Sequence, residues 1–158
     1  MLVPKSGVIS DTIPVLQAKA NLSEDVVKNI RFFEVHSSKL YKELKPNYSV
    51  AGINDYVSLY AEETPEDERQ AADTDTSIYA MHFNKEPTKA HGVPFKFIVK
   101  KGELFKDTKV RLEKRTGFKG KAFEKIKFAV VPRISYSRPI YLNDGEWHPT
   151  YTEGSFHY

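Results

Sequence analysis

Apolar side chains recur at helical spacing in GELFKDTKVRLEKRTG, where Phe105, Thr108 and Leu112 share one face and charged residues fill the rest. Gly117 follows at the place of a helix C-cap, so the spacing predicts a helix that stops there. On both sides the period shortens to two. SIYAMHFNK and PFKFIVKK are strand-like runs around the turn-rich EPTKAHGV, which predicts a hairpin with a long loop, and KIKFAVV and RPIYL predict two further strands. Nearer the start, SDTIPVLQAK predicts a helix with Asp11 or Thr12 as N-cap and with Ile13, Leu16 and Ala20 facing a sheet. Pro14 then sits at the second or third helical position, where no N–H has a partner inside the helix, so it breaks no hydrogen bond. NIRFFEV, KLYKEL and DYVSLYAE predict the strands that follow.

The two halves repeat one another. A shift of 96 residues without a gap pairs Asp11 with Asp107, Thr12 with Thr108, Leu16 with Leu112, Lys19 with Arg115, Ile30 with Ile126, Phe32 with Phe128 and Val35 with Val131. The matches fall in one order of elements: a helix start, a helix core position, then alternate residues of a strand. Hairpin, helix, strand, strand is the order of the β-grasp, or ubiquitin, fold, so the fold class expected is α+β, with two tandem β-grasp domains. The first has only MLVPKSG ahead of its helix, enough for one strand where the fold needs two. It is therefore expected to lack its first strand, which upstream residues or a neighbouring copy would supply, the latter as a strand-swapped homodimer. Between the halves EETPEDERQAADTD carries seven acids and one arginine and reads as a solvated connection. The expected organisation is a truncated ubiquitin-like domain at 1–64, an acidic linker at 65–75, a second ubiquitin-like domain at 76–147 and a tail at 148–158.

Composition narrows the chemistry. The chain has 158 residues and no cysteine, which excludes disulfides, thiolate metal sites and a cysteine nucleophile within it. The five histidines form no i, i+4 pair, so no metal site is expected, and no cofactor either. Eleven serines occur without a G-x-S-x-G elbow, there is no phosphate-binding G-x-x-x-x-G-K-[ST] loop, and the chain does not end in Gly-Gly as a conjugated modifier would. No apolar run approaches the roughly 20 residues that cross a bilayer, and no secretory pattern opens the chain, so an intracellular protein of the nucleus and/or cytoplasm is expected, with no membrane partner.

HFNKEPTKAHGVPF, KKGELF and KAFEKIKFAVV resemble the last ubiquitin-like domains of the herpesvirus-associated ubiquitin-specific protease family, and VPKSGVISD with NIRFFEV resembles the domain just before them. SDTI followed by spaced Val, Ala and Lys is also similar to ubiquitin itself. The resemblance covers roughly residues 1–135. It implies a parent cysteine protease that cleaves ubiquitin from substrates, in which terminal ubiquitin-like domains and a tail promote catalysis. The implied partners are the catalytic domain of the same parent chain and ubiquitin-pathway or substrate proteins. GEWHPTYTEGSFHY, after RPIYLND, does not resemble the family's continuation or its activating tail.

Charge then points to surfaces. Residues 1–75 carry 8 Lys or Arg against 13 acids, and residues 76–158 carry 16 against 8. Between 96 and 127 there are twelve basic residues and four acids. Lys106, Lys114, Arg115, Lys119 and Lys121 are candidates for docking onto an acidic protein surface. Nucleic acid is an alternative that KFIVKKGELF does not favour, because it lacks a stacking platform, and a stand-alone ubiquitin-like adaptor that binds through the Phe33 face is another. In NIRFFEV, alternation sends Ile30 and Phe32 inward and turns Arg31, Phe33 and Val35 to the outer face, where Phe33 matches the recognition patch of ubiquitin. That face should be covered, by a neighbouring domain or by a partner.

Overall fold

The computed structural model describes residues 4–131 and 138–144. The tail expected at 148–158, with His148 and His157, lies outside the described residues. The chain divides into two units, Met1–Arg69 and Gln70–Tyr158.

In unit 1 a 3₁₀ turn at Ile9–Thr12 runs directly into α1 (Ile13–Ala20), which makes Pro14 its second residue. Asn21 ends α1 in the left-handed conformation with φ 50°. Leu16 and Ile13 pack half-buried against the core, but Ala20, expected to face the sheet, is exposed because the helix stops there after eight residues. A short α2 (Glu24–Lys28) follows, capped by Ser23, whose Oγ accepts the Val26 N–H at 3.4 Å. Next come β1 (Ile30–His36) and β2 (Lys39–Leu44), joined by Ser37 and Ser38 at φ 48° and 58°. Two successive positive φ values make the type I′ turn that matches strand twist. A β3 strand (Ser58–Glu63) and a helical turn, α3 (Glu66–Arg69), complete the unit.

The strands form one antiparallel sheet in the order β2-β1-β3, with Phe32 opposite Leu44 on one side and Ala61 on the other. The outer edge of β3 has no partner strand among the described residues, as expected of a β-grasp sheet that lacks its first strand. Ile9, Phe32 and Leu44 form the core. The same three residues also line, with Ile13 and Ile30, an open groove of about 550 Å³, so the inner face is not closed over.

In unit 2, β4 (Thr76–His82) pairs with β5 (His91–Val99) in the expected hairpin, with a 3₁₀ turn at Pro87–Lys89 in its loop. Then come α4 (Phe105–Thr116), α5 (Lys121–Glu124), and the short pair β6 (Ala129–Val130) and β7 (Ile140–Tyr141). Gly117 caps α4 at φ 75°, the left-handed stop read from the sequence. Ile78, Phe97, Phe105, Leu112, Phe123, Phe128 and Val130 form the core, and the Phe128 ring meets those of Phe105 and Phe123 at 5.6 Å each. Burying a side chain of this size contributes about 1.5–3 kcal/mol, so this cluster is the main source of the unit's stability.

The repeat survives in three dimensions at its inner positions. Thr12 and Thr108 are both buried, as are Phe32 and Phe128, and the same offset adds a pair not read from the sequence, Ile9 with Phe105. The weak point is Leu16, half-buried where Leu112 is fully covered. The fold is thus α+β, with small antiparallel sheets each packed on a helix. Among the described residues no helix is long and apolar enough to cross a membrane.

Candidate partner-binding surface

Helix α4 separates its residues by period. Phe105, Thr108 and Leu112 point into the core, while Lys106, Val110 and Lys114, spaced four apart, are exposed along the opposite face. The side facing β5 is fixed by charge. Thr108 Oγ1 donates to Glu103 Oε2 at 2.8 Å, Arg111 Nε donates to Glu103 Oε1 at 3.0 Å, and Arg111 also reaches the Ile98 carbonyl at 2.8 Å. Burial would raise the Glu103 carboxyl, but the bonds from Arg111 and Thr108 outweigh it and hold the group below its ordinary range. The Arg111 guanidinium lies 4.7 Å above the Phe97 ring, and that of Arg115 lies 5.0 Å above Phe95. Arg115, a candidate docking residue by sequence, is therefore half-buried and engaged within its own unit. Lys109 likewise pairs with Asp144 at 2.9 Å.

Four of the sequence candidates remain outward. Lys106, Lys114, Lys119 and Lys121 are exposed and make no ion pair among the described residues. Two apolar side chains are exposed in the same stretch of sequence, Val110 at 66% and Phe118 at 47% exposure. Neither was singled out from the sequence, although the four-residue spacing from Lys106 to Val110 and Lys114 was there to be read; Phe118 follows the helix stop at Gly117. On the outer face of α4, Val110 is thus flanked by Lys106 and Lys114, a combination suited to an acidic surface with apolar side chains of its own.

The β1 candidates are placed differently. Arg31, Phe33 and Val35 have 7%, 1% and 4% exposure, so the face expected to carry a recognition patch is covered rather than open. Arg31 lies 5.1 Å above the Phe33 ring and binds two carboxylates, Glu62 at 2.7 Å and Glu68 at 2.6 Å. Burial alone would lower the Arg31 pKa, but Glu68 and Glu62 together raise it, so the guanidinium is charged at every accessible pH. Glu68 belongs to the acidic stretch read as solvated, yet it is only 4% exposed because α3 folds back onto this arginine. On the same strand Glu34, also buried, forms an ion pair with Lys42 at 3.1 Å and accepts from His36 at 3.1 Å. Burial works against ionisation here too, and the contacts from Lys42 and His36 outweigh it, keeping the carboxyl below its ordinary range.

The family model described as "Ubiquitin-specific protease C-terminal" matches residues 1–154. The match runs past residue 135, where the motif resemblance stops, and takes in most of the stretch that did not resemble the family. Ubiquitin carboxyl-terminal hydrolase 15 of Schizosaccharomyces pombe is 33% identical over 146 residues, which are 91% of this chain and 13% of that protein. Ubiquitin carboxyl-terminal hydrolase 5 of the same yeast is 34% identical over 142 residues, 90% of this chain. Ubiquitin C-terminal hydrolase 13 of Arabidopsis thaliana is 34% identical over 148 residues, again 90% of this chain. The chain spans about 13% of the length of each of these three relatives.

Proposed function

Because the chain belongs to the ubiquitin-specific protease C-terminal family, we propose that it is a regulatory and protein-interaction tandem of a deubiquitinase, itself without catalytic chemistry. The observation that carries this reading is the match over residues 1–154 on a chain with no cysteine. The parent is a cysteine protease that removes ubiquitin from proteins, with its thiol elsewhere in the polypeptide. In this reading the two domains keep the order read from the sequence, but α3 goes with the first, which leaves 70–75 as the connection. They act on the catalytic domain by binding its active conformation better than its inactive one, since only a difference in affinity shifts such an equilibrium. Lys106, Lys114, Lys119 and Lys121, with Val110 and Phe118, form the docking surface, and recruitment of ubiquitin-pathway or substrate proteins uses the same residues. The parent works in the nucleus and/or cytoplasm.

The test adds the 158-residue chain to the isolated catalytic domain of its parent and measures kcat/KM on a ubiquitin substrate. An increase within the roughly 5- to 150-fold range of allosteric couplings is expected. The double variant Lys106→Glu, Lys114→Glu should lose most of it, as should raised salt. No increase at saturating chain refutes regulation; an increase untouched by the double variant refutes the surface.

A further inference from the structure

Hairpin β4–β5 contains an irregularity that the regulatory reading leaves unused. Over most of its length the register pairs Ile78 with Phe97 and Ala80 with Phe95, and continuing it would set His82 opposite Val93. Instead the ladder shifts between Ala80 and His82, so that His82 stands opposite His91. Gly92 makes the shift with φ +76°. A Cβ there would meet nothing within 4 Å, so backbone conformation rather than space calls for glycine. Bulges of this kind re-aim a side chain. Here the re-aimed group is an imidazole, and the two rings lie 4.3 Å apart between centroids, their planes at 65°.

Neutral imidazole is a common ligand for borderline divalent metals, and two on one face of a hairpin can chelate. Zinc–nitrogen bonds of about 2.0–2.1 Å at a tetrahedral angle hold two nitrogens about 3.3 Å apart. Rings already this close reach that separation by side-chain rotation, which is open to them because His82 is exposed and His91 half-buried. We propose that His82 and His91 form a two-imidazole site for a divalent transition-metal ion of the zinc class. Among the described residues no third His, Asp or Glu joins them, so water fills the remaining positions. The bound ion would cross-link the two strands at the loop end of the hairpin.

The experiment titrates the 158-residue chain with zinc chloride and follows the ring-nitrogen resonances of its histidines by NMR. Signals of His82 and His91 should move together and saturate with one equivalent. His82→Gln should weaken binding more than about tenfold, the scale on which even supporting residues of metal sites act. Gly92→Ala should uncouple the two responses, with amide spectra reporting that the fold persists. The proposal is overturned if neither ring responds, if His36 or only one of the pair responds, or if His82→Gln binds within tenfold of the parent.

Discussion

Replacing Arg31 with methionine removes the cation that binds both Glu62 and Glu68, and keeps much of the stem that covers Phe33. Glu68 is then left facing an apolar side chain, and Glu62 loses its bonds to Arg31. Arg31 is 7% and Glu68 4% exposed, which places the pair in the class where losing one partner costs about 3–5 kcal/mol. Glu62 keeps 24% exposure and can turn to water, so the lower end, about 3 kcal/mol, applies. With a urea dependence of about 1.5 kcal/mol per molar for a unit this size, the midpoint of unit 1 should fall by about 2 M. The companion variant Arg31→Met, Glu62→Gln, Glu68→Gln removes the charges together. It should recover to within about 1 kcal/mol of the parent, the remainder being the lost stacking on Phe33. Urea unfolding monitored by tyrosine fluorescence and by the amide signals of β1 reads both. If the triple variant is as unstable as the single one, packing and not charge is what Arg31 contributes, and the reasoning fails. It fails equally if Arg31→Met shifts the midpoint by less than about 0.3 M.

The remaining expectations are more direct. Leu112→Ala should destabilise unit 2 by about 2–5 kcal/mol, whereas Leu16→Ala, at the equivalent but half-buried position, should cost unit 1 about 1 kcal/mol; matched denaturation curves would show the asymmetry. Acid should weaken unit 2 in a defined direction. The Glu103 carboxyl is held below its ordinary value near 4.5, so its contribution is complete above that pH and is lost as pH falls through the lower folded value. Glu103→Gln should remove this share of the acid slope in a pH series of thermal melts, and an unchanged slope would count against the assignment.

Most of the framework was legible because its signals are local. The helical spacing of Phe105, Thr108 and Leu112, the stop at Gly117, and the tolerance of Pro14 near a helix start depend on neighbours a few residues away, and all appear as read. The covering of a sheet face is not local. Alternation assigned Arg31, Phe33 and Val35 to one side of β1, but five consecutive residues from Arg31 to Val35 are buried, the pattern of a strand covered on both faces. Arg31 tolerates this because its carboxylate partners stand 31 and 37 residues away, beyond any spacing rule. The same limit explains Arg115, whose charge suggests a solvated helix face until Phe95 is placed beneath it. A histidine pair on a helix shows as an i, i+4 spacing, whereas one made by a bulge between strands leaves no such mark.

Thr12 and Thr108 occupy equivalent buried positions, yet one donates to the Ile9 carbonyl at 2.7 Å and the other to the Glu103 carboxylate at 2.8 Å. Both acceptors lie within five residues upstream of their donor, so each hydroxyl is satisfied from inside its own short segment. The Thr12 pair is self-contained, whereas Glu103 also needs Arg111, so only the first arrangement is complete within its helix start. Different acceptors at these equivalent positions thus reflect two local solutions to the same buried hydroxyl.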